Sequence, residues 1–369
     1  MDSRVFISMT GPDGNLGDIL IRRASLEWVR TPSGVSAFVG SHPQSWLDAM
    51  DFTAQDTMVF GGSRERIVWL LKGAFGPKKP ILVTDPGETW VGRNRLPHHL
   101  FHLAVGLVIK ARGGAIIIPP HALAQQRAAS KSTITLSLHR LFARLADVCL
   151  WREPWSKAEA RTGVLVPDIA FSRNPRAGAD TRDLLIVSLR GDRPLPSRQA
   201  LDAIRSVGQS TGLEVVAVSQ VDVDDERAQT LSSILQTRAV IWDPEDQASA
   251  ERVSQAYDRA ALVISDRLHV LILGLLSGAM PVELAPSPER KIAAHFSTIG
   301  LDHISFNAEN RSEDEISFWL SAQIQRREEA VAAMRIAHEE LQRVADQVGT
   351  ILRRRSSHAQ MTAPKGRRI

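Results

Sequence analysis

Short apolar runs recur along the chain, each followed by a turn and then by a longer segment with helical spacing. The first covers residues 4–9 and leads through TGPDGNLGD into an amphipathic helix with Ile19, Leu20, Ala24 and Val29 near helical spacing. Strands are predicted next at 35–40, in TMVFGG up to Gly61-Gly62, at 79–85, 115–119 and 148–151, with helices over 64–75, 96–112 and 130–146 between them. The second half repeats the rhythm, with strands at 184–190, 213–218, 239–242, 261–264 and 282–284 and helices over 198–212, 224–236 and 248–260. Strands alternating with helices predict parallel sheets covered on both faces. Two such units in tandem predict an α/β fold of two Rossmann-like domains facing a cleft, with ligands at the carboxyl ends of the strands. The boundaries read as 1–172 for the first domain, a Gly-, Pro- and charge-rich linker at 173–182, and 183–311 for the second. Residues 312–352 read as one long helix and 353–369 as an unstructured basic tail.

The stretch ALVISDRLHVLILGLLSGAMPVELAP at 261–286 organises the second half. A buried strand stops at Ser265-Asp266, whose side-chain oxygens suit the free N–H groups of a helix's first turn. An apolar helix then runs over 267–276 and ends at Gly278 and Pro281. Its mouth carries Arg267 and His269. Arg267 either pairs with Asp266 or another nearby acid while His269 caps the turn, or both face a ligand. Taken alone, an R-x-H is more often structural, because ion pairs of this kind are common; a helix N-terminus attracts anions, and the rest of the chain decides between the two. A guanidinium adds a planar fork of donors, and an imidazole a group that exchanges protons near neutral pH.

Composition narrows the field. At 369 residues with 43% hydrophobic and 23% charged residues, the chain is globular and long enough for two cores. Its single cysteine, Cys149, allows no internal disulfide, suits a reducing compartment and reads as a buried strand thiol. With neither a signal-peptide pattern at the N-terminus nor a membrane-spanning apolar run, the expected location is the cytoplasm. The net charge of +4 is concentrated in the tail, where Arg353, Arg354, Arg355, Lys365, Arg367 and Arg368 stand without an acid. Such a tail is compatible with peripheral contact at the inner face of the cell membrane. Nucleic acid is not expected, because no basic stripe has interleaved aromatics. His98, His99 and His102 share a helix but lack a carboxylate partner, so a solvated face is expected there and no metal site.

Seven motifs, in order, resemble the polysaccharide pyruvyl transferase family. They are NLGD at 15–18, FGG at 60–62, WRE-x-x-S at 151–156, PDIAF at 167–171, VSLR at 187–190, SDRLH at 265–269 and the lysine of RKIAAHFSTIGL at 290–301. The resemblance implies a GT-B-like pair of domains and phosphoenolpyruvate as donor, with no cofactor. It further implies a pyruvyl group set on two sugar hydroxyls as a cyclic ketal, with release of phosphate. On that pattern Arg190 and the triplet Arg267, Leu268 and His269 match the donor-binding and catalytic positions. The chain departs from the family at IIIPPHAL, residues 116–123, where a more glycine-rich turn is usual, and that departure bears on the acceptor.

Phosphoenolpyruvate concentrates a phosphate and a carboxylate on three carbons, so several fixed cations are needed. Arg190 and Arg267 stand at strand ends and Lys291 on the next helix is a third candidate. His269 is the candidate acid and base for protonating the enol methylene and taking hydroxyl protons. Asn15, Asp18, Gly61 and Gly62 are expected to face the acceptor from the first domain, with Asp18 at least as well suited to be the N-cap or first-turn acid of its helix. Glu153 and Asp168 read as structural. The resemblance implies a sugar acceptor, free or lipid-linked, and the long helix suits either packing back across both domains or pairing with a second copy. Two rival functions remain: a GT-B glycosyltransferase using a nucleotide sugar, and a non-catalytic carbohydrate-binding protein of the same fold.

Overall fold

The computed structural model describes residues 3–12, 15–124, 132–176, 181–243 and 245–357. The chain divides into two compact units. The first comprises Met1–Gly11, Ile21–Ile169 and Glu340–Ile369, the second Pro12–Leu20 and Ala170–Glu339. The change of unit after Ile169 precedes the linker expected at 173–182, because Phe171 packs edge-on against Phe296 of the second unit.

In the first unit the apolar runs become β1 (Ser3–Ser8), β2 (Ser36–Gly40), β3 (Thr57–Phe60), β4 (Lys79–Val83), β5 (Gly87–Thr89), β6 (Ala115–Leu123), β7 (Val148–Trp151) and β8 (Val164–Leu165). They form a parallel sheet in the order β3-β2-β1-β4-β6-β7-β8, with β5 added on β6. The strand β6 runs four residues beyond the expected 115–119, through Pro119 and Pro120. It tolerates two prolines because its register with β7 shifts between Ile118 and His121, where ladder hydrogen bonds are interrupted.

The second unit holds β9 (Leu184–Ser188), β10 (Glu214–Val218), β11 (Arg238–Val240), β12 (Ala260–Ser265), β13 (Met280–Ala285) and β14 (Ser305–Asn307). All pair in parallel in the order β11-β10-β9-β12-β13-β14. This is the doubly wound order whose direction of travel reverses between β9 and β12, the place where such sheets bind ligands. Both strands are buried along their whole length, as a central parallel strand requires. Each Leu, Ile or Val fully buried there contributes about 2 kcal/mol. The helix Leu268–Leu276 continues the burial, and Gly278 at φ 86° lets the chain turn back into β13.

Three expectations are corrected. The helix expected over 312–352 is two helices, Glu313–Gln325 and Arg327–Ser357. The former packs on the helix Arg198–Thr211 of the second unit; the latter passes from the second unit to the first at Glu339 and Glu340. The tail is helical through Ser357, and Arg355 donates to the Gly113 carbonyl at 3.1 Å and pairs with Asp147 at 3.3 Å. Finally, Pro12–Leu20, with the NLGD motif, belongs to the second unit rather than the first. Residues 130–131 of the helix expected over 130–146, 177–180 of the linker and 358–369 of the tail lie outside the described residues.

Candidate active site

Arg190 follows β9 and Arg267 follows β12, the two strands flanking the reversal of strand order. The strand exits are tied together by side chains. Ser265 Oγ donates to the Ser188 carbonyl at 2.5 Å, and Asp266 Oδ1 accepts from the backbone N–H of Arg190 at 2.9 Å. Asp266 therefore does not cap its own helix, which begins at Leu268 with Arg267 at the cap position. Its carboxyl is pushed up by burial, against the hydrogen bond from Arg190 and the charges of Arg193, Arg190 and Arg267.

Each arginine meets a carboxylate. Arg190 donates Nε and Nη2 to Asp192 at 2.8 and 2.7 Å. Those bonds hold Asp192 down to about 2, and the charges of Arg190 and Arg267 add to the effect. Arg267 pairs through Nε and Nη2 with Asp224, not with Asp266. Both arginines thus act on one group of carboxylates at one end of the sheet.

Besides Asp192 and Glu289, the sequence did not single out Arg193, Asp224 and Glu283. Arg193 contacts Asp266 at 3.6 Å and pairs with Glu289. Asp224 is buried and also accepts from the Gly191 N–H at 2.7 Å. A Cβ on Gly191 would lie 2.6 Å from the Val223 carbonyl oxygen, so only glycine fits that approach. Glu283, on β13, is fully buried and accepts from the Glu289 N–H at 2.7 Å and the Ser305 hydroxyl at 2.6 Å. Burial pushes Glu283 up to about 7. For Arg193 and Asp224 the signal in sequence was the charged residues just beyond strand ends, in GDR and DVDDER, without a spacing to select among them; Glu283, inside a buried apolar strand, was marked by its charge alone.

His269 lies in the first turn of its helix, half-buried. Against it stands the NLGD turn: a Cβ on Gly17 would lie 2.3 Å from His269 Cβ and 2.6 Å from Nδ1. The turn is held by an isolated antiparallel bridge between Asn15 and Val221. Within it Asn15 accepts from the Gly17 N–H at 2.9 Å and donates to Asp18 at 2.7 Å. Asp18 is a first-turn acid of the helix Leu16–Val29, not its cap. Asn15 and Asp18 therefore stand with the arginines in the second unit, whereas Gly61 and Gly62 are in the first. There Gly62 caps the helix Ser63–Phe75 and donates to Glu65 at 2.9 Å. Lys291 opens the helix Arg290–Ser297, its carbonyl accepting from the His295 ring at 2.8 Å. Glu289, two residues earlier, is the residue of that segment that meets the arginines.

The WRE-x-x-S and PDIAF motifs meet in buried polar pairs. Arg152 pairs with Asp168 at 2.8 Å, both fully buried, and Glu153 accepts from Ser156. Of the histidines on the helix Leu96–Ala111, His98 is exposed and His102 half-buried, whereas His99 leaves the expected solvated face: it is buried and donates to the Trp90 carbonyl at 3.0 Å. The His98 and His102 rings meet tilted at 36°, with centroids 4.0 Å apart. His99, His139, His121 and Trp151 continue the run of rings. Among the described residues no three His, Cys, Asp or Glu side chains are placed to hold a metal ion.

A sequence model of the family described as polysaccharide pyruvyl transferase matches residues 15–279, most of the chain, and the chain belongs to that family. No curated protein matches it in sequence. Among solved structures it is similar to the UDP-GlcNAc 2-epimerase from Methanocaldococcus jannaschii, with TM-score 0.53 and 10% identity over 88% of this chain and 93% of that one. It is similar to Anabaena Alr3699/HepE in complex with UDP, with TM-score 0.53 and 10% identity over 98% and 100%. A third is Phytolacca americana UGT2 complexed with UDP-2fluoro-glucose and pterostilbene, with TM-score 0.53 and 12% identity over 97% and 99%. At such identities the likeness is one of fold: two parallel-sheet α/β units of the GT-B type.

Proposed function

We propose that the protein transfers the pyruvyl group of phosphoenolpyruvate to two hydroxyls of a sugar in a polysaccharide or its lipid-linked precursor. Family membership supports a transferase of polysaccharide biosynthesis. The observation that carries the donor is the convergence of Arg190, Arg193 and Arg267 on one strand-end cluster of the second unit, with His269 in the adjoining helix turn. Asp192 is 64% exposed, so its pair with Arg190 contributes little and gives way to a more highly charged phosphate. Asp224, only 3% exposed, stays on Arg267 and keeps its fork oriented. Leu268 and Lys291 complete the proposed donor side.

In the proposed reaction a proton reaches the enol methylene, making it a methyl group and leaving an oxocarbenium-like carbon. One sugar hydroxyl adds to that carbon. The bond from carbon to the phosphate oxygen then breaks, and the second hydroxyl closes the ketal. Of the two hydroxyl protons, one balances that delivered to the methylene and the other leaves with phosphate. His269 carries these transfers in turn, and the arginines stabilise the departing phosphate. Asn15 and Asp18 would bind the acceptor beside His269, and Gly61 and Gly62 would contribute from the first unit. The enzyme would work in the cytoplasm, and no cofactor is required by this chemistry.

Since the solved neighbours named above include complexes with UDP and a UDP-sugar, the competing donor is a nucleotide sugar. Thermal shift separates the two. Stabilisation by phosphoenolpyruvate and not by UDP-sugars, together with phosphate release on adding a sugar acceptor, is the expected result. Stabilisation by UDP-sugars alone would overturn the proposal.

A further inference from the structure

We propose that the outer face of the helices Ser63–Phe75, Leu96–Ala111 and Thr133–Leu145 in the first unit docks on an anionic lipid surface. The three helices lie side by side, the middle one against both others. Their inner faces carry core residues such as Trp69, Val105 and Phe142. The opposite face of such a helix ordinarily meets water and carries polar side chains. Here Ile67, Leu71 and Phe75 recur at intervals of four on the first helix. Leu100 and Leu107, then Ile134 and Leu141, stand two turns apart on the others. All seven are between 38% and 66% exposed. An apolar stripe repeated on three adjacent helices is a surface, not a scatter of single hydrophobes.

Charge selects the occupant. The three helices carry Arg64, Arg66, Lys72, Lys110, Arg140 and Arg144, of which Lys110 and Arg140 pair with Asp147 and Glu159. The three helices together hold one acid, Glu65, and its carboxylate is taken up by the Gly62 N–H. At the end of the first helix a pocket of about 280 Å³ is lined by Arg4, Lys72 and Lys78, with no carboxylate in its wall, and suits a phosphate headgroup. A second copy in a two-fold contact would set this cationic face against itself. Nucleic acid would match the charge and gain nothing from the exposed leucines. A lipid surface takes both, with apolar side chains at the acyl boundary and Lys and Arg over the headgroups. None of the helices is long and apolar enough to cross a membrane, among the described residues, so these helices would lie on the surface.

Vesicle cosedimentation of the full chain without substrate tests the surface independently of the reaction proposed above. Binding is expected to vesicles containing about one third phosphatidylglycerol and to be weak on phosphatidylcholine alone. The double variant Leu71→Glu with Phe75→Glu, and separately Lys72→Glu with Lys78→Glu, should each weaken it about tenfold with the unfolding temperature unchanged. Absence of binding to anionic vesicles overturns the proposal. So does binding unaffected by the apolar changes, which would belong to the basic tail. A dimer that those changes dissociate, or capture of RNA in place of vesicles, would overturn it as well.

Discussion

Asp224 receives both Nε and Nη2 of Arg267 on its carboxylate, the latter at 2.7 Å, while accepting the Gly191 N–H at 2.7 Å. One buried acid thus joins the arginine at the helix mouth to the loop leaving β9. Removing one partner of such a pair leaves the other uncompensated, at about 3 kcal/mol. Asp224→Ala is expected to lower stability by about that amount in urea unfolding and to weaken phosphoenolpyruvate binding about tenfold. Combined with Arg267→Ala it should cost less than the sum of the two changes. Additive losses would show that the two side chains act separately.

Gly17 leaves no room for a side chain beside the imidazole, since even a Cβ would stand 2.3 Å from that of His269. Gly17→Ala is therefore expected to push the ring from its place without touching the arginines. Turnover should fall about a hundredfold, with donor binding by calorimetry unchanged, as for His269→Ala. A Gly17→Ala enzyme of normal turnover would remove this ring position from the mechanism.

Periodicity carried the strands and the place where Arg190 and Arg267 stand, because a parallel strand ending in a polar turn is a local pattern. It could not carry partners distant in sequence. Asp222, Asp224 and Asp225 are adjacent, and only the structure shows that Asp224 meets Arg267, forty-three residues on. NLGD follows the first strand, so its membership of the second unit rests on contacts to Gln220 and Val221 that leave no local mark. His99 departs from the solvated face for a different reason. The helix Leu96–Ala111 is apolar on both sides, with Leu100 and Leu107 exposed and His99 buried, so its pattern could not tell the inner face from the outer.

Glu283 gives a pH dependence of one sign. Burial raises its carboxyl from 4.5 to about 7 in the folded protein, so between these values the folded state holds a proton that the unfolded chain has lost. Stability contributed by that proton is present below the unfolded value and is lost as pH rises through about 7. Glu283→Gln keeps a neutral side chain at every pH. Its unfolding temperature relative to the parent should therefore improve from pH 5 to pH 8. A difference independent of pH would mean that Glu283 is ionised throughout.

The ring cluster of the first unit gives the opposite sign. His121 donates Nδ1–H to the Leu150 carbonyl at 2.7 Å and is pushed from 6.5 down to about 4, chiefly by burial, with the Arg152 charge adding. His102 is pushed down to about 4 by burial and by Arg66, and His139, enclosed by His121 and His99, falls well below its ordinary value through burial. Above pH 6.5 these rings are neutral in both folded and unfolded chains, and their full contribution to stability is present. As pH falls from 6.5 toward 4 the unfolded chain takes up protons that the folded chain excludes, so stability is lost, on the order of 3 kcal/mol for a ring such as His121. The unfolding midpoint in urea is expected to drop across this range. His139→Phe, which keeps a ring but removes the proton-binding site, should flatten the drop. Equal slopes for parent and variant would place the acid sensitivity outside this cluster.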